Sequence, residues 1–316
     1  MSNSNVNSKS FSISSRTLDM RTQKGSFQLA AHCYTPSSQF EDDSEQGDKP
    51  AATPNVPGYV LTLVKGAEFP KEHWEPVISR LFDIQSDMQY ASIATGVPTP
   101  TPIREVWILD YPDDQALGTP DYADTLATFQ KNMLAGSSET SYTEADKFVL
   151  IAHSIGCLEA LLSSAMISKP DALPRPALHS LIMCEPILSY DAERRRIRQN
   201  AFVNSASAYI QSSRVEKAYK RIIDDSSHAT TQLKRISRLI PVHAVFGSVE
   251  DVLSMEDKKS LVDSCSLASV SKVEGVGHWI PQSPQKTAEI LFNILQRSGG
   301  LKLAKSGNVD ALLSKL

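Results

Sequence analysis

One serine in the chain stands in a setting typical of a catalytic nucleophile. Ser154 lies in VLIAHSIGC (149–157), where an apolar run ends, and small residues stand two positions before and after it, Ala152 and Gly156. A strand, a sharp turn that holds the serine and a following helix form a nucleophile elbow, whose tight turn requires small residues at those positions. The start of the helix would present N–H groups to an oxyanion, with Ile155 as one donor. The alternative role of Ser154 is a helix N-cap.

A histidine near the other end of the chain could serve as the general base. His278 lies in VEGVGHWIPQSPQK (273–286), after a strand-like run and before the last helical segment. In serine hydrolases whose triad runs serine, acid, histidine along the chain, the base lies on this loop. A second histidine, His153, directly precedes the serine. Neighbours on a sharp turn point apart, so we predict that His153 supports the turn and that His278 accepts the proton.

Two carboxylate positions could supply the acid that orients the base. Glu185 ends the strand-like run LIMCE (181–185), and Asp251, with Glu250 beside it, follows the next such run. The acid holds the imidazole in one tautomer and stabilises the imidazolium formed during the reaction. A hinge or cap carboxylate is the alternative role for Glu185, and a solvated turn is the alternative for Asp251. The residue types alone leave both positions open.

Short apolar runs alternate with helical segments along the chain. Runs of this kind, each followed by turn residues, are typical of strands buried on both faces. Strands that alternate with helices predict a parallel sheet covered by helices on both sides. The strand-like runs are 26–35, 59–64, 105–110, 147–152, 181–185, 241–247 and 269–275, and the helical segments are 72–82, 122–134, 157–167 and 284–297.

The pattern divides the chain into three parts and places one insertion. We predict a flexible, polar arm over residues 1–16, a single domain over 17–300 and a tail over 301–316. Residues 187–240 contain no clear strand and are predicted to form an inserted helical lid. This segment holds eleven Lys or Arg against five Asp or Glu. A basic lid suits an anionic leaving group such as coenzyme A, with Arg194, Arg195 and Arg196 as candidate contacts, although a solvated helix face would look the same.

Composition excludes several classes of protein. The net charge of −4 argues against a general nucleic-acid binder, and no stretch of 18 uninterrupted apolar residues predicts a membrane span. The four cysteines show no metal-ligand spacing and are predicted to be reduced, buried thiols. We therefore expect neither a metal nor an organic cofactor. The cysteines are Cys33, Cys157, Cys184 and Cys265.

The last three residues predict a destination. Ser314, Lys315 and Leu316 match the terminal tripeptide that the peroxisomal import receptor reads. The alternative is a chance match, which random sequence produces on the order of once in a few thousand chains. We therefore predict that the import receptor is a partner and that the protein resides in peroxisomes.

Several segments resemble a known superfamily. They are LVKGAEFPKEHWEPVI (63–78), AHSIG (152–156), LIMCEPIL (181–188), VGHWIPQSP (276–284) and the final SKL. In these segments the chain resembles the α/β-hydrolases, and among them the fungal peroxisomal hydrolases of toxin and polyketide pathways. These include the hydrolase family of the AK- and AF-toxin clusters, the acyl-CoA hydrolase of mycophenolic acid synthesis and the yeast peroxisomal lipase. The resemblance spans roughly residues 26–297.

The resemblance implies an α/β-hydrolase fold and a serine hydrolase that needs no cofactor. In such relatives an acid after the strand that follows the elbow can complete the triad, which favours Glu185 over Asp251. The loop after the first central strand supplies a second oxyanion N–H in these relatives, and this position maps to Ala67.

That loop departs from the pattern of the relatives. It reads KGAEF (65–69) where they carry His-Gly-x-Gly or a similar stretch. A carboxylate at Glu68 close to an oxyanion would raise the reaction barrier unless it turned away or paired with Lys65. The sequence therefore predicts a weakened or remodelled oxyanion hole.

Together these features predict hydrolysis of a small-molecule acyl thioester or ester, similar to an acyl-CoA hydrolase, in peroxisomal secondary metabolism. One alternative is a carboxylesterase or lipase that acts on neutral esters. Another is a hydrolase-like binding protein without turnover. An epoxide hydrolase or dehalogenase of this fold would need a carboxylate where Ser154 stands.

Overall fold

Eight strands form one sheet in the computed structural model, in the order β1-β2-β4-β3-β5-β6-β7-β8. The structure describes residues 11–22, 25–37, 56–66, 70–96, 98–110, 122–134, 142–143, 145–167, 178–188 and 229–298. The strands are β1 Phe11–Thr22, β2 Gly25–Pro36, β3 Tyr59–Val64, β4 Ile103–Leu109, β5 Lys147–His153, β6 Ser180–Cys184, β7 Val242–Gly247 and β8 Ser269–Val273.

The sheet is mostly parallel, as the alternation of strands and helices predicts. Strands β3 to β8 pair in parallel, whereas the β1–β2 and β2–β4 pairings are antiparallel. Every residue of β3, β6 and β7 is buried. Central strands covered on both faces have no solvent side, which explains their continuous apolar sequences.

Helices cover both faces of the sheet. They are α1 Glu75–Thr95, α2 Tyr122–Leu134, α3 Gly156–Ile167, α4 Met255–Ser264 and α5 Pro284–Ser298. Helices α1 and α5 bury side chains such as Phe82 and Leu291 in one core cluster. Helices α2 and α3 bury Phe129 and Leu161 in a second cluster on the other face. The parallel strands place their carboxyl ends at one edge of the sheet, beyond the two apolar layers. In sheets of this kind a site forms at that edge.

The first strand, Phe11–Thr22, lies where the sequence analysis predicts no strand. Residues 11–16, assigned above to a flexible arm, form the first half of β1 and pair with β2. Phe11 anchors this half, because its ring contacts Tyr34 and Phe82 at centroid distances of 5.5 and 6.4 Å. Residues 12–16 are mostly polar and exposed on this edge strand, and the apolar residue among them, Ile13, is exposed too, so no buried apolar periodicity marked the strand. Residues 1–10 lie outside the described residues.

Only the two ends of the predicted lid fall within the described residues. Residues 229–236 are helical, and Ala229, Leu233 and Ile236 are buried in the same cluster as Ile187. The rest of the lid, including Arg194, Arg195 and Arg196, and the whole 301–316 tail lie outside the described residues.

Across the residues that the structure describes, no helix has both the length and the apolar character needed to cross a bilayer.

Candidate active site

Ser154 occupies a strained turn between β5 and α3. Its φ is +58°, in the left-handed region that non-glycine residues seldom adopt. The turn is held by backbone hydrogen bonds, because the N–H of Ser154 donates to the carbonyl of Cys184 at 3.0 Å and its carbonyl accepts the N–H of Ile187 at 3.2 Å. The serine is fully buried.

Gly156 lets α3 begin against the end of β3. A Cβ at this position would lie 2.6 Å from the carbonyl oxygen of Val64 and 2.7 Å from that of Lys65, both far inside van der Waals contact. Glycine is therefore required by backbone approach, which is the physical basis of the small-residue rule at the elbow. The other small residue, Ala152, is also fully buried.

His278 reaches Ser154 from the loop after β8. Its Nε2 lies 2.8 Å from Oγ of Ser154, a distance at which the hydroxyl can donate to the imidazole. The two residues are 124 positions apart in the sequence. The structure thus places the predicted nucleophile and the predicted base within one hydrogen bond of each other.

Glu185 approaches the other side of the imidazole. It follows β6 directly, is fully buried and has a φ of +47°. Its Oε2 lies 3.5 Å from Nδ1 of His278, and its Oε1 accepts the N–H of Gly247 at 2.5 Å. The carboxylate is therefore anchored to the end of β7 while its second oxygen faces the imidazole.

Asp251, the alternative acid, contacts the backbone of His278. Oδ1 and Oδ2 of Asp251 accept the N–H of His278 at 2.9 and 2.7 Å. Gly277 makes this approach possible, since a Cβ there would overlap the Asp251 carboxylate. The structure therefore brings Glu185 to the imidazole and places Asp251 behind the loop that carries it.

His153 also contacts the His278 loop. Its Nε2 lies 2.8 Å from the carbonyl oxygen of His278, to which it donates. Burial and the nearby His278 lower the pKa of His153 to about 3, so the ring remains neutral at physiological pH. Its ring packs edge-on against Trp74 and Trp279, at centroid distances of 5.7 and 5.5 Å. The supporting role predicted for His153 thus takes the form of a contact with the base's loop.

Two positions that the sequence analysis overlooked complete the site. Gly247 donates to Glu185, and a Cβ on it would overlap the backbone carbonyl of Gly277. Lys258 on α4 is buried and extends Nζ to within 3.1 Å of Oε1 of Glu185. The sequence carried one sign of Lys258. A lysine stands four residues before Val262, on the same face of α4, at a position where a buried helix face normally has an apolar residue.

The cysteines nearest the elbow along the chain are not suited to act as nucleophiles. Burial raises the pKa of Cys157 and Cys184 well above the ordinary value for a thiol. Both therefore remain protonated, whereas reactivity needs the thiolate. Within the described part of the chain, no cluster of three or more His, Cys, Asp or Glu side chains could hold a metal ion.

The oxyanion side of the site is described in part. Ile155 directly follows the serine and is buried at the start of α3. Lys65 is buried at the end of β3. Two residues of the loop after β3 lie outside the described residues. They are Ala67, the predicted second oxyanion donor, and Glu68, the carboxylate that the relatives lack.

Comparison with solved structures identifies the fold. A peroxisomal α/β-hydrolase of Saccharomyces cerevisiae is 14% identical over 91% of this chain and 89% of its own, with a TM-score of 0.57. Carboxyl esterase 2 of Tuber melanosporum is 14% identical over 94% and 89%, with a TM-score of 0.58. A thermostable esterase of Pseudomonas putida is 12% identical over 93% and 85%, with a TM-score of 0.54. This chain therefore has the α/β-hydrolase fold, as the sequence predicts.

No protein-family model and no curated protein sequence matches the chain.

Proposed function

We propose that the protein is a serine hydrolase that cleaves a carboxylic ester or thioester. The observation that carries the proposal is the 2.8 Å contact between Oγ of Ser154 and Nε2 of His278, made from a strained turn. Glu185 is the proposed acid, because its carboxylate is buried and faces Nδ1. Serine, acid and histidine stand in the chain order used by α/β-hydrolases.

The proposed reaction follows from the roles of these three side chains. His278 accepts the proton of Ser154 as Oγ attacks the acyl carbonyl carbon, and Glu185 stabilises the imidazolium that forms. The N–H of Ile155 stabilises the developing oxyanion, with Ala67 as the proposed second donor. His278 then gives its proton to the leaving oxygen or sulfur. Water, activated by the same imidazole, releases the acyl group from the serine.

The proposed substrate is an acyl-CoA, and the proposed compartment is the peroxisome. The basic 187–240 segment and the terminal Ser314, Lys315 and Leu316 support this choice. A solved structure of similar fold is titled a peroxisomal α/β-hydrolase. The resemblance to hydrolases of toxin and polyketide pathways supports fungal secondary metabolism as the proposed context of this activity.

A carboxylesterase acting on neutral esters is the second candidate. Structures of similar fold are titled carboxyl esterase and esterase. Ile155, which follows the serine, and Ile187, whose N–H donates to the carbonyl of the serine, are buried in one apolar cluster. A neutral acyl ester would suit apolar side chains of this kind without any cationic contact.

Labelling with a fluorophosphonate tests the shared mechanism before any substrate is chosen. We expect the purified full-length chain to be labelled and Ser154→Ala to remain unlabelled. Ser264→Ala, a serine on α4 whose hydroxyl donates to the carbonyl of Leu261, is the matched control and should label like the wild type. A folded wild-type chain that takes no label would favour a binding protein without turnover.

Hydrolysis rates then separate the two substrate classes. We expect the wild type to cleave acyl-CoA with a higher kcat/KM than 4-nitrophenyl esters of the same acyl chain. The triple variant of Arg194, Arg195 and Arg196 to Gln should raise KM for acyl-CoA and leave the neutral ester unaffected. Equal effects on both substrates would remove the case for coenzyme A.

A further inference from the structure

A lysine and the proposed triad acid form a buried ion pair. Lys258 is 1% exposed and Glu185 is 0% exposed, so water contributes little to stabilising either charge. Nζ of Lys258 lies 3.1 Å from Oε1 of Glu185 and donates to the carbonyl oxygen of Gly247 at 2.7 Å. A buried ammonium is strongly unfavourable unless it is paired, so these acceptors are what keep Lys258 in this position.

We propose that Lys258 is a positioning residue for the Ser154 site. Its ammonium fixes the Glu185 carboxylate through Oε1 and offsets part of the negative charge that this carboxylate presents to the imidazole of His278. This inference rests on the hydrolase function proposed above.

The two oxygens of the Glu185 carboxylate have different surroundings. Oε1 receives both the N–H of Gly247 and the ammonium of Lys258. Oε2 accepts no hydrogen bond within the described part of the chain, and Nδ1 of His278 lies 3.5 Å from it. Rotation of the carboxylate would break the contacts at Oε1. Lys258 therefore helps to keep Oε2 directed at the imidazole.

Lys65, a buried cation at the end of β3, has its backbone beside the elbow. The four other titratable groups described near the pair carry no positive charge. Burial and a neighbouring imidazole lower the pKa of one histidine to about 3, and burial raises the pKa of two thiols. One carboxylate accepts the backbone N–H of His278. These groups are His153, Cys157, Cys184 and Asp251. Lys258 is the cation whose ammonium the described contacts place directly against the Glu185 carboxylate.

Removal of the ammonium would change the protonation of the base. A carboxylate without its cation attracts a proton to the adjacent imidazole strongly, because the surroundings screen charge poorly. The imidazolium cannot accept the proton of Ser154. Activity in acid would then be lost at a higher pH than in the wild type.

Lys258→Met tests this directly, with Lys259→Met as a matched control on the exposed side of the same helix. We expect the acid limb of kcat/KM for a 4-nitrophenyl ester to move up by about one pH unit in Lys258→Met, a tenfold change in proton affinity. The plateau KM should stay within about twofold of the wild type. The imidazole of His278, followed by NMR of histidine-labelled protein, should titrate at the same higher pH. Lys259→Met should change neither measurement.

Several outcomes would decide against the proposal. A loss of kcat/KM by the same factor at every pH, with an unmoved imidazole titration, would make Lys258 merely structural. If Lys258→Met does not fold, the double variant Glu185→Gln/Lys258→Met should fold, because it leaves no unpaired buried charge. Failure of the double variant to fold would overturn the pairing.

The NMR titration needs no turnover, so it separates this inference from the proposed function. If the wild type neither labels nor hydrolyses esters but its imidazole still shifts in Lys258→Met, the hydrolase function fails and the electrostatic role of Lys258 stands.

Discussion

The backbone N–H of His278 donates to both carboxylate oxygens of Asp251, at 2.9 and 2.7 Å. Glu185 lies instead 3.5 Å from the ring nitrogen Nδ1 of the same histidine. The two acids follow neighbouring strands, β6 and β7, and reach His278 from different sides. One therefore holds the loop in place, and the other faces the ring whose charge changes in the proposed reaction.

This division predicts unequal effects of two matched substitutions. Glu185→Gln keeps the side-chain shape but removes the charge that stabilises the imidazolium, and we expect kcat/KM to fall about 10³- to 10⁴-fold. Asp251→Asn keeps one acceptor oxygen for the His278 N–H, and we expect a fall of about tenfold, or ~1.4 kcal/mol. Ester hydrolysis by the purified variants provides the measurement. A larger loss in Asp251→Asn would identify Asp251 as the acid.

Gly277 should tolerate no side chain. A Cβ there would overlap the carboxylate of Asp251, so Gly277→Ala must displace the loop that carries His278. We expect kcat/KM to fall about 100-fold or more, since a shift of about 1 Å costs that much in a positioned site. Gly96→Ala is the control, because its added Cβ meets nothing within 4 Å although its φ is +70°. It should lose about 1–2 kcal/mol of stability from backbone strain and keep its activity.

His153 should make the protein sensitive to acid. Its pKa is about 3 in the folded chain, against an ordinary value of 6.5, so between these pH values only the unfolded chain binds the proton. The free energy of unfolding therefore decreases as the pH falls through this window, by about 1.4 kcal/mol per pH unit. His153→Gln keeps a donor for the carbonyl of His278 and should flatten this dependence.

Urea unfolding between about pH 7 and pH 4 measures the effect. Some dependence should persist in His153→Gln, because burial also lowers the pKa of His243 to about 4. An identical slope in wild type and variant would show that His153 does not carry the acid sensitivity.

The terminal tripeptide should direct the protein to peroxisomes. We expect the full-length chain, fused to a fluorescent protein at its N-terminus, to colocalise with a peroxisomal marker in yeast cells. Deletion of Ser314, Lys315 and Leu316 should leave the fusion dispersed. If the fusion still colocalises with the marker after the deletion, another segment of the chain contains the targeting signal.

The alternation of apolar runs and helical segments was sufficient to predict a parallel sheet covered by helices on both faces, because burial selects apolar residues at regular positions in each local segment. No strand was predicted over residues 11–22, which form β1. A polar edge strand is held by pairing with β2 and by Phe11, and neither leaves a local pattern.

Ser154 and His278 could be proposed as nucleophile and base from the sequence because each proposal depends on a short stretch of chain. The elbow is recognised by small residues at 152 and 156. The base is recognised as a histidine on the loop that follows the last strand. The order of the two residues along the chain suggested that they meet. The 2.8 Å contact forms because the parallel sheet brings the ends of both strands to one edge.

The sequence alone could not decide how the remaining charged groups are arranged around the imidazole. Glu185 and Asp251 both follow strands at the same edge, and the difference lies in a few ångströms of side-chain reach. Gly247, Gly277 and Lys258 matter through contacts between β6, β7, α4 and the His278 loop. Such contacts join segments distant in sequence, so only tertiary packing determines which carboxylate faces the ring and which cation balances it.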